Sequence, residues 1–336
     1  MEIWLWIGFV AFVLVMLALD LGVFNRKVHV ISGREALCWT GFWVSLAMLF
    51  NVAVYFIYQN HWLGFGAGLG GQAALSGKDA AMQFLAGYLI EESLSMDNIF
   101  VIALILTYFR VPQMYQHRVL FWGIMGALIM RGAMIGAGIA LINAFEWIIY
   151  VFGLMLLASA IKLLLSKEED IHPDRKLLVR IARRFYPVSS QFDGHKFFTR
   201  LNGRRALTPL ALCLLVIEGT DLLFAVDSIP AVFAVTREPF IVFTSNIFAI
   251  LGLRSLYFAL AAILDKFHHL KLALVVLLLF IGVKMLLSPE PVYPFLPHYK
   301  ISTGISLVIV MLVLAAGIVM SLLFPKKHPP SEKIEK

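Results

Sequence analysis

Charge is scarce in this sequence: 15% of its 336 residues are charged against 60% hydrophobic, and the mean hydropathy is +0.85. Soluble domains hold roughly 45–50% apolar residues, so a water-soluble globular fold is excluded. Cysteine is scarcer still. Cys38 and Cys213 both sit at the edges of apolar runs, which excludes a disulfide framework and a thiolate metal site and leaves them as expected packing residues. No basic stretch precedes the first apolar run, which starts behind Glu2, and no small-residue cleavage site precedes Asn25. That run is therefore expected to be a retained helix and not a signal peptide.

Long apolar runs fill the space left by these absences. A bilayer core about 30 Å thick takes roughly 17–25 helical residues to cross. Nine windows qualify: 3–24, 36–58, 80–107, 119–142, 146–165, 208–236, 241–262, 270–287 and 301–324. The expected fold is all-α, a polytopic transmembrane helix bundle. The formal charge of +7 does not point to nucleic acid, because it is sorted by loop. Loops 25–35, 108–118, 166–207 and 263–269 and the tail after 324 hold nearly all the loop Lys and Arg, while the opposite loops have little beyond Lys78, Arg237 and Lys300. By the positive-inside rule the N-terminus is expected outside and the C-terminus inside.

The chain repeats itself. Glu91, Asp97 and Ile99 in LIEESLSMDNIFV align at an offset of 130 with Asp221, Asp227 and Ile229 in VIEGTDLLFAVDSIPA. The following helices match through Arg131 in GALIMRGAMI and Arg254 in AILGLRSLYF, and the third through Lys162 in SAIKLLLSKEE and Lys284 in IGVKMLLSPE. Each unit reads acid helix, arginine helix, lysine helix. An odd number of spans per unit inverts the second unit, with a pseudo-two-fold axis in the membrane plane. The expected organisation is residues 1–79 as two leading helices, 80–165 and 208–287 as the repeats, 166–207 as a basic cytoplasmic linker, and 288–336 as a last helix and tail. In the linker, DRKLLVRIARRFY puts Leu177, Leu178 and Ile181 on one helical face and Arg180, Arg183 and Arg184 largely on another. That pattern suits an interfacial helix on anionic lipid, or equally a solvated connector.

Six acids stand out: Glu91, Glu92 and Asp97 in the third window, Glu218, Asp221 and Asp227 in the sixth. Each acid near a helix centre opposes insertion by about 2.5–3.5 kcal/mol on the translocon scale, so something must offset them. Arg131, Arg254, Lys162 and Lys284 can balance four charges, and a divalent cation would neutralise the remaining two. The alternative is that acids and bases only pair with each other and hold the bundle together. Glu92 and Glu218 have no acidic counterpart in the repeat and rank below the quartet Glu91, Asp97, Asp221 and Asp227.

A six-residue step turns a helix by about 240°, so the two quartet acids of each helix stand about 120° apart on a regular helix. Convergence then needs either different neighbours or a local break, and Gly219, Thr220 and Pro230 hint at a break in the second helix, Ser93 and Ser95 at one in the first. Carboxylates with Asn98, Ser228, Ser95 and Thr220 nearby are hard oxygen donors suited to Mn²⁺, Mg²⁺ or Ca²⁺. His29, His117, His172, His195, His268 and His269 fall in or beside predicted cytoplasmic regions, which disfavours a soft metal, and Asn51 and Asn246 are expected to link helices. Asp20 is either an entry ligand or an interfacial residue.

At these motifs the sequence resembles the TerC/Alx family of bacterial integral membrane proteins, named for tellurium resistance and for an alkali-induced member. The likeness runs from about residue 10 to residue 324 through GYLIEESLSMDNIFV, HKFFTRLNGRRALTPL, EGTDLLFAVDSIPAVFAVT, PFIVFTSNIFAILGLRSLYF and IGVKMLL. It implies a cytoplasmic-membrane protein among cation and amino-acid exporters, with manganese export as the foremost role. It also carries the family's acidic motif onto Glu91, Asp97, Glu218, Asp221 and Asp227. Glu92 departs from the alkali-induced branch, which tends to have lysine there. The expectation is a secondary transporter, not an enzyme, that exports Mn²⁺ and holds no tight cofactor. The reading extends to exchange of protons for metal, with anionic lipid and other membrane proteins as expected partners. Two other readings stay open: a membrane redox modulator or tellurite-resistance protein, and a non-transporting scaffold.

Overall fold

The computed structural model describes residues 3–19, 33–67, 74–145, 147–165, 180, 184, 186–189, 191–201, 203–260, 270–287 and 301–323. Within them are nine α-helices: α1 (Ile3–Leu19), α2 (Gly33–Gln59), α3 (Gly77–Tyr108), α4 (Gln113–Ala144), α5 (Ile148–Leu165), α6 (Pro209–Phe233), α7 (Pro239–Leu260), α8 (Leu270–Leu287) and α9 (Thr303–Leu323). Each coincides with an expected window, α4 starting six residues early. Six are long and apolar enough by length and composition to cross a bilayer, α1 is a shorter apolar helix of 17 residues, and α3 is a 32-residue helix with its acids in mid-run. This is a polytopic helical membrane protein. Asp20, His29, His172, His268, His269 and most of the expected interfacial helix lie outside the described residues.

Local chemistry sets the helix starts. Ser76 caps α3 by accepting from the Asp79 amide at 3.1 Å, and Thr208 caps α6 from the Ala211 amide at 3.3 Å, with Pro209 in the first turn where its missing N–H costs nothing. The all-α expectation misses one element, a hairpin of β1 (Phe198–Leu201) and β2 (Arg204–Leu207), in which Leu201 pairs with Arg204. The Asn–Gly sequence at 202–203 is the residue pair that favours a two-residue turn, and Gly203 has φ +79°. The hairpin is tied to the bundle by the Thr208 hydroxyl, which donates to the Lys196 and Phe197 carbonyls at 2.8 and 3.1 Å.

The two repeats interleave. Among the repeat helices the most extensive packing is of α5 on α8, α3 on α7 and α4 on α6, all between units, and exchanging the units maps this set onto itself. Gly87 of α3 abuts Ser245 of α7, as Gly123 of α4 faces Ile217 of α6, so α3 with α7 and α4 with α6 form equivalent pairs. Thr236, just past the end of α6, donates to Gln83 near the start of α3 at 2.5 Å, so α3 and α6 run antiparallel, as inversion requires. At the α5–α8 crossing Gly153 and Gly282 bring the backbones together, and a Cβ on either would meet backbone or leucine atoms within about 3 Å. Small residues at such contacts replace the hydrophobic drive that lipid removes.

Helices outside the repeat break its symmetry. α2 packs on α3 and α7, α9 on α3 and α8. Phe9 of α1, Phe50 of α2, Phe84 of α3 and Phe240 and Phe248 of α7 form one aromatic cluster, with Phe50 and Phe248 centroids 4.7 Å apart. As a result 94% of the apolar window of α7 is buried, against 22% for its counterpart α4.

Candidate functional site

Four helices converge on one guanidinium. Arg131 of α4 is 1% exposed, ion-pairs with Glu91 of α3, and grips Asp221 of α6 through both ends of the carboxylate, Nη2 to Oδ1 at 2.9 Å and Nε to Oδ2 at 3.2 Å. Its Nη1 also donates to Ser228 Oγ at 3.4 Å and to Asn246 Oδ1 of α7 at 3.5 Å, and the Asn246 amide donates to Glu91 Oε2 at 2.9 Å. Glu91 and Asn246 are fully buried. With two carboxylates and one guanidinium ionised, the cluster carries one net negative charge, and removing a partner from such a pair costs about 3–5 kcal/mol.

The quartet is thereby divided. Glu91 and Asp221 meet at Arg131, whereas Asp97 and Asp227 lie half-buried elsewhere. Asp227 accepts from Ser159 of α5 at 2.5 Å and lies within electrostatic reach of Lys162, itself exposed; Asp97 lies within reach of Lys271 of α8. Arg254 contacts His117 Nε2 at 3.1 Å, and Lys284 is buried. Among the described residues no three His, Cys, Asp or Glu side chains stand close enough to hold a metal ion together.

The expected helix breaks are absent: α3 and α6 are continuous through their acids. Ser93 and Thr220 do not bridge freed backbone but donate to Leu89 O and Val216 O one turn back, Thr220 at 2.6 Å. Pro230 sits in the last turn of α6, where it removes the bond its N–H would make to Val226 O but the helix continues to Phe233. Glu91 and Asp221 meet at Arg131 through different neighbours, without a break in either helix.

Several buried polar atoms have no hydrogen-bond partner: Glu92 Oε2, Ser95 Oγ and Asn98 Nδ2 on α3 and Glu218 Oε2 on α6. The three on α3 are spaced by three residues and so form one stripe along the helix. The Glu218 carboxylate lies where a side chain at Gly126 of α4 would be. Asn246 and Ser159 join the site unforeseen as acid partners. An amide inside the apolar run of α7 and a hydroxyl three residues before Lys162 were their only signals.

The family model for the integral membrane protein TerC family matches residues 76–328. The chain belongs to the TerC family. An uncharacterized membrane protein of Myxococcus xanthus is 48% identical to this TerC protein over 328 residues, 98% of this chain and 95% of its own. Proteins of Salmonella typhi and Escherichia coli K12, each named as a candidate membrane-bound redox modulator, Alx, are 42% identical (94% of this chain, 93% of theirs) and 41% identical (96% of each). No solved structure matches the chain.

Proposed function

We propose that this TerC-family protein exports a hard divalent cation, Mn²⁺ foremost, through carboxylates at the junction of its two repeats. It lies in the bacterial inner membrane with the N-terminus outside and the C-terminus inside, as the loop charges direct. The observation that carries the reading is the set of unpartnered oxygens of Glu92, Ser95 and Glu218, buried in membrane-spanning helices beside the Glu91–Arg131–Asp221 cluster. Buried polar atoms ordinarily find partners, and these are the hard donors that Mn²⁺ and Mg²⁺ accept. Asp97 and Asp227 extend the acidic surface along α3 and α6. The exposed Arg180, Arg184, Arg200, Arg204 and Arg205 of the linker would rest against anionic headgroups on the inner face.

The test is Mn²⁺ flux in proteoliposomes, repeated with Mg²⁺ and Ca²⁺ and under a pH gradient, for the intact protein and for Glu92→Gln, Asp97→Asn and Asp227→Asn. Flux in the intact protein that the substitutions abolish supports a carboxylate-dependent carrier. Correctly folded protein that moves no cation under any gradient ends the reading. The relatives' naming as redox modulators favours a second one, in which the protein carries electrons. A chromophore that copurifies and bleaches on reduction would decide for it.

A further inference from the structure

The groups around Arg131 are an unusual set for an arginine to hold. Two carboxylates, a hydroxyl and an amide carbonyl, from Glu91, Asp221, Ser228 and Asn246, all present oxygen to one fully buried positive charge. The same three donor types make up a hard-cation site. Only the carboxylates hold the guanidinium closely; the contacts to Ser228 and Asn246, at 3.4 and 3.5 Å, are long. We propose that Arg131 is a tethered cation seated in the transported ion's own site, and that its withdrawal opens Glu91, Asp221, Ser228 and Asn246 to one divalent ion. This rests on the transporter reading above: the unpartnered oxygens of Glu92 and Ser95 lie beside the site, Glu91, Asp221, Ser228 and Asn246 are its ligands, and Glu218 serves the competitor.

The charges give the seat a purpose. An ion carrier must return empty, and two bare carboxylates in a low-dielectric interior strongly resist the repacking that return requires. With Arg131 seated, the empty site keeps one net negative charge; with a divalent ion seated, both carboxylates are neutralised. The displaced guanidinium has an acceptor within its own reach. Glu218 lies one turn from Asp221 on α6, against Gly126 on the N-terminal side of Arg131, the direction in which helical side chains lean, and its Oε2 has no other partner.

The experiment separates two modes in proteoliposomes: net Mn²⁺ efflux into Mn²⁺-free buffer, and exchange of radiolabelled Mn²⁺ against Mn²⁺ on the far side. Only the first needs the empty return. Arg131→Gln is expected to lower net efflux on the order of a hundredfold while exchange persists, because the empty site is left with two uncompensated charges. Arg131→Lys, a weaker monodentate competitor, keeps net efflux and lowers the KM for Mn²⁺ in exchange by about threefold or more. Folded Arg131→Gln protein that loses both modes alike, or neither, overturns the proposal. If Arg131→Gln does not fold, the Lys variant decides, and an unchanged or higher KM overturns it. Intact protein inactive in both modes ends the transporter reading and this inference together, whereas active intact protein with a wrong variant pattern ends this inference alone.

Discussion

Arg131 and Arg254 occupy the same place in the two repeats and do different work. Arg131 is enclosed by two acids, while Arg254 contacts the imidazole of His117. The seat beside Glu91 that inversion would offer to α7 is filled by the Asn246 amide. The third helices diverge likewise: Ser159, which donates to Asp227, aligns with Ile281, so Asp97 has no equivalent hydroxyl on α8. The surroundings differ too, since α1 and α2 wall in α7 where α4 is left to lipid. A repeat thus supplies a frame, and the chemistry resides where its halves stop matching.

Removing the enclosed arginine gives the largest effect. Arg131→Leu leaves two buried carboxylates uncompensated and is expected to cost about 3–5 kcal/mol. Thermal melting in detergent would check it, and a loss below about 1 kcal/mol would show that the enclosure by two acids carries little energy. Next come the glycines. Gly153→Leu and Gly282→Leu overfill the α5–α8 crossing and should each cost about 1–3 kcal/mol, while Gly8→Leu and Gly41→Leu, with nothing within 4 Å of the added Cβ, should be close to neutral. Ser159→Ala removes a hydrogen bond that Asp97 never had, so it should destabilise by about 1.5 kcal/mol if Asp227 is ionised, and Ile281→Ser should add a donor on the other side. Failure of the paired substitutions to differ in melting would show that the divergence has no energetic content.

The smallest effect concerns the hairpin. The Thr199 hydroxyl at 2.9 Å, and then Lys196, hold Asp193 below the ordinary carboxylate range. A depressed folded value contributes stability above the unfolded value and loses it as pH falls through the folded one. Amide protection across β1 and β2, taken relative to the intrinsic exchange rate at each pH, should therefore fall slightly below about pH 4 and stay constant between about pH 6 and 8. Thr199→Val should weaken the dependence without abolishing it, since Lys196 remains.

Much of this was legible because the bilayer simplifies the code. Nine apolar windows became nine helices, and the acid–arginine–lysine order located the units that interleave. What escaped was pairing between helices. The repeat matches Glu91 with Asp221 and Arg131 with Arg254 but says nothing of which acids share one arginine, and the 130-residue offset suggested a symmetric quartet that Arg131 divides. Breaks inferred from Ser93, Thr220 and Pro230 did not occur, because a hydroxyl can bond its own preceding turn and a proline can remove one hydrogen bond near a helix end without ending the helix. The hairpin was missed although Asn–Gly at 202–203 announces it, since a basic stretch between apolar runs reads first as a connector.

Interleaving also governs how the chain is made. Most helices of each half find their principal neighbours in the other half, so the first three repeat helices enter the bilayer before the surfaces meant to cover them have been synthesised. During that interval Glu91 has a partner, since Arg131 arrives on the very next helix, but Asp221 must wait to share it. Assembly is therefore a late event that depends on the last helices of the second unit, and a ribosome that stalls after α5 leaves behind an open half whose helices still lack the neighbours that cover them.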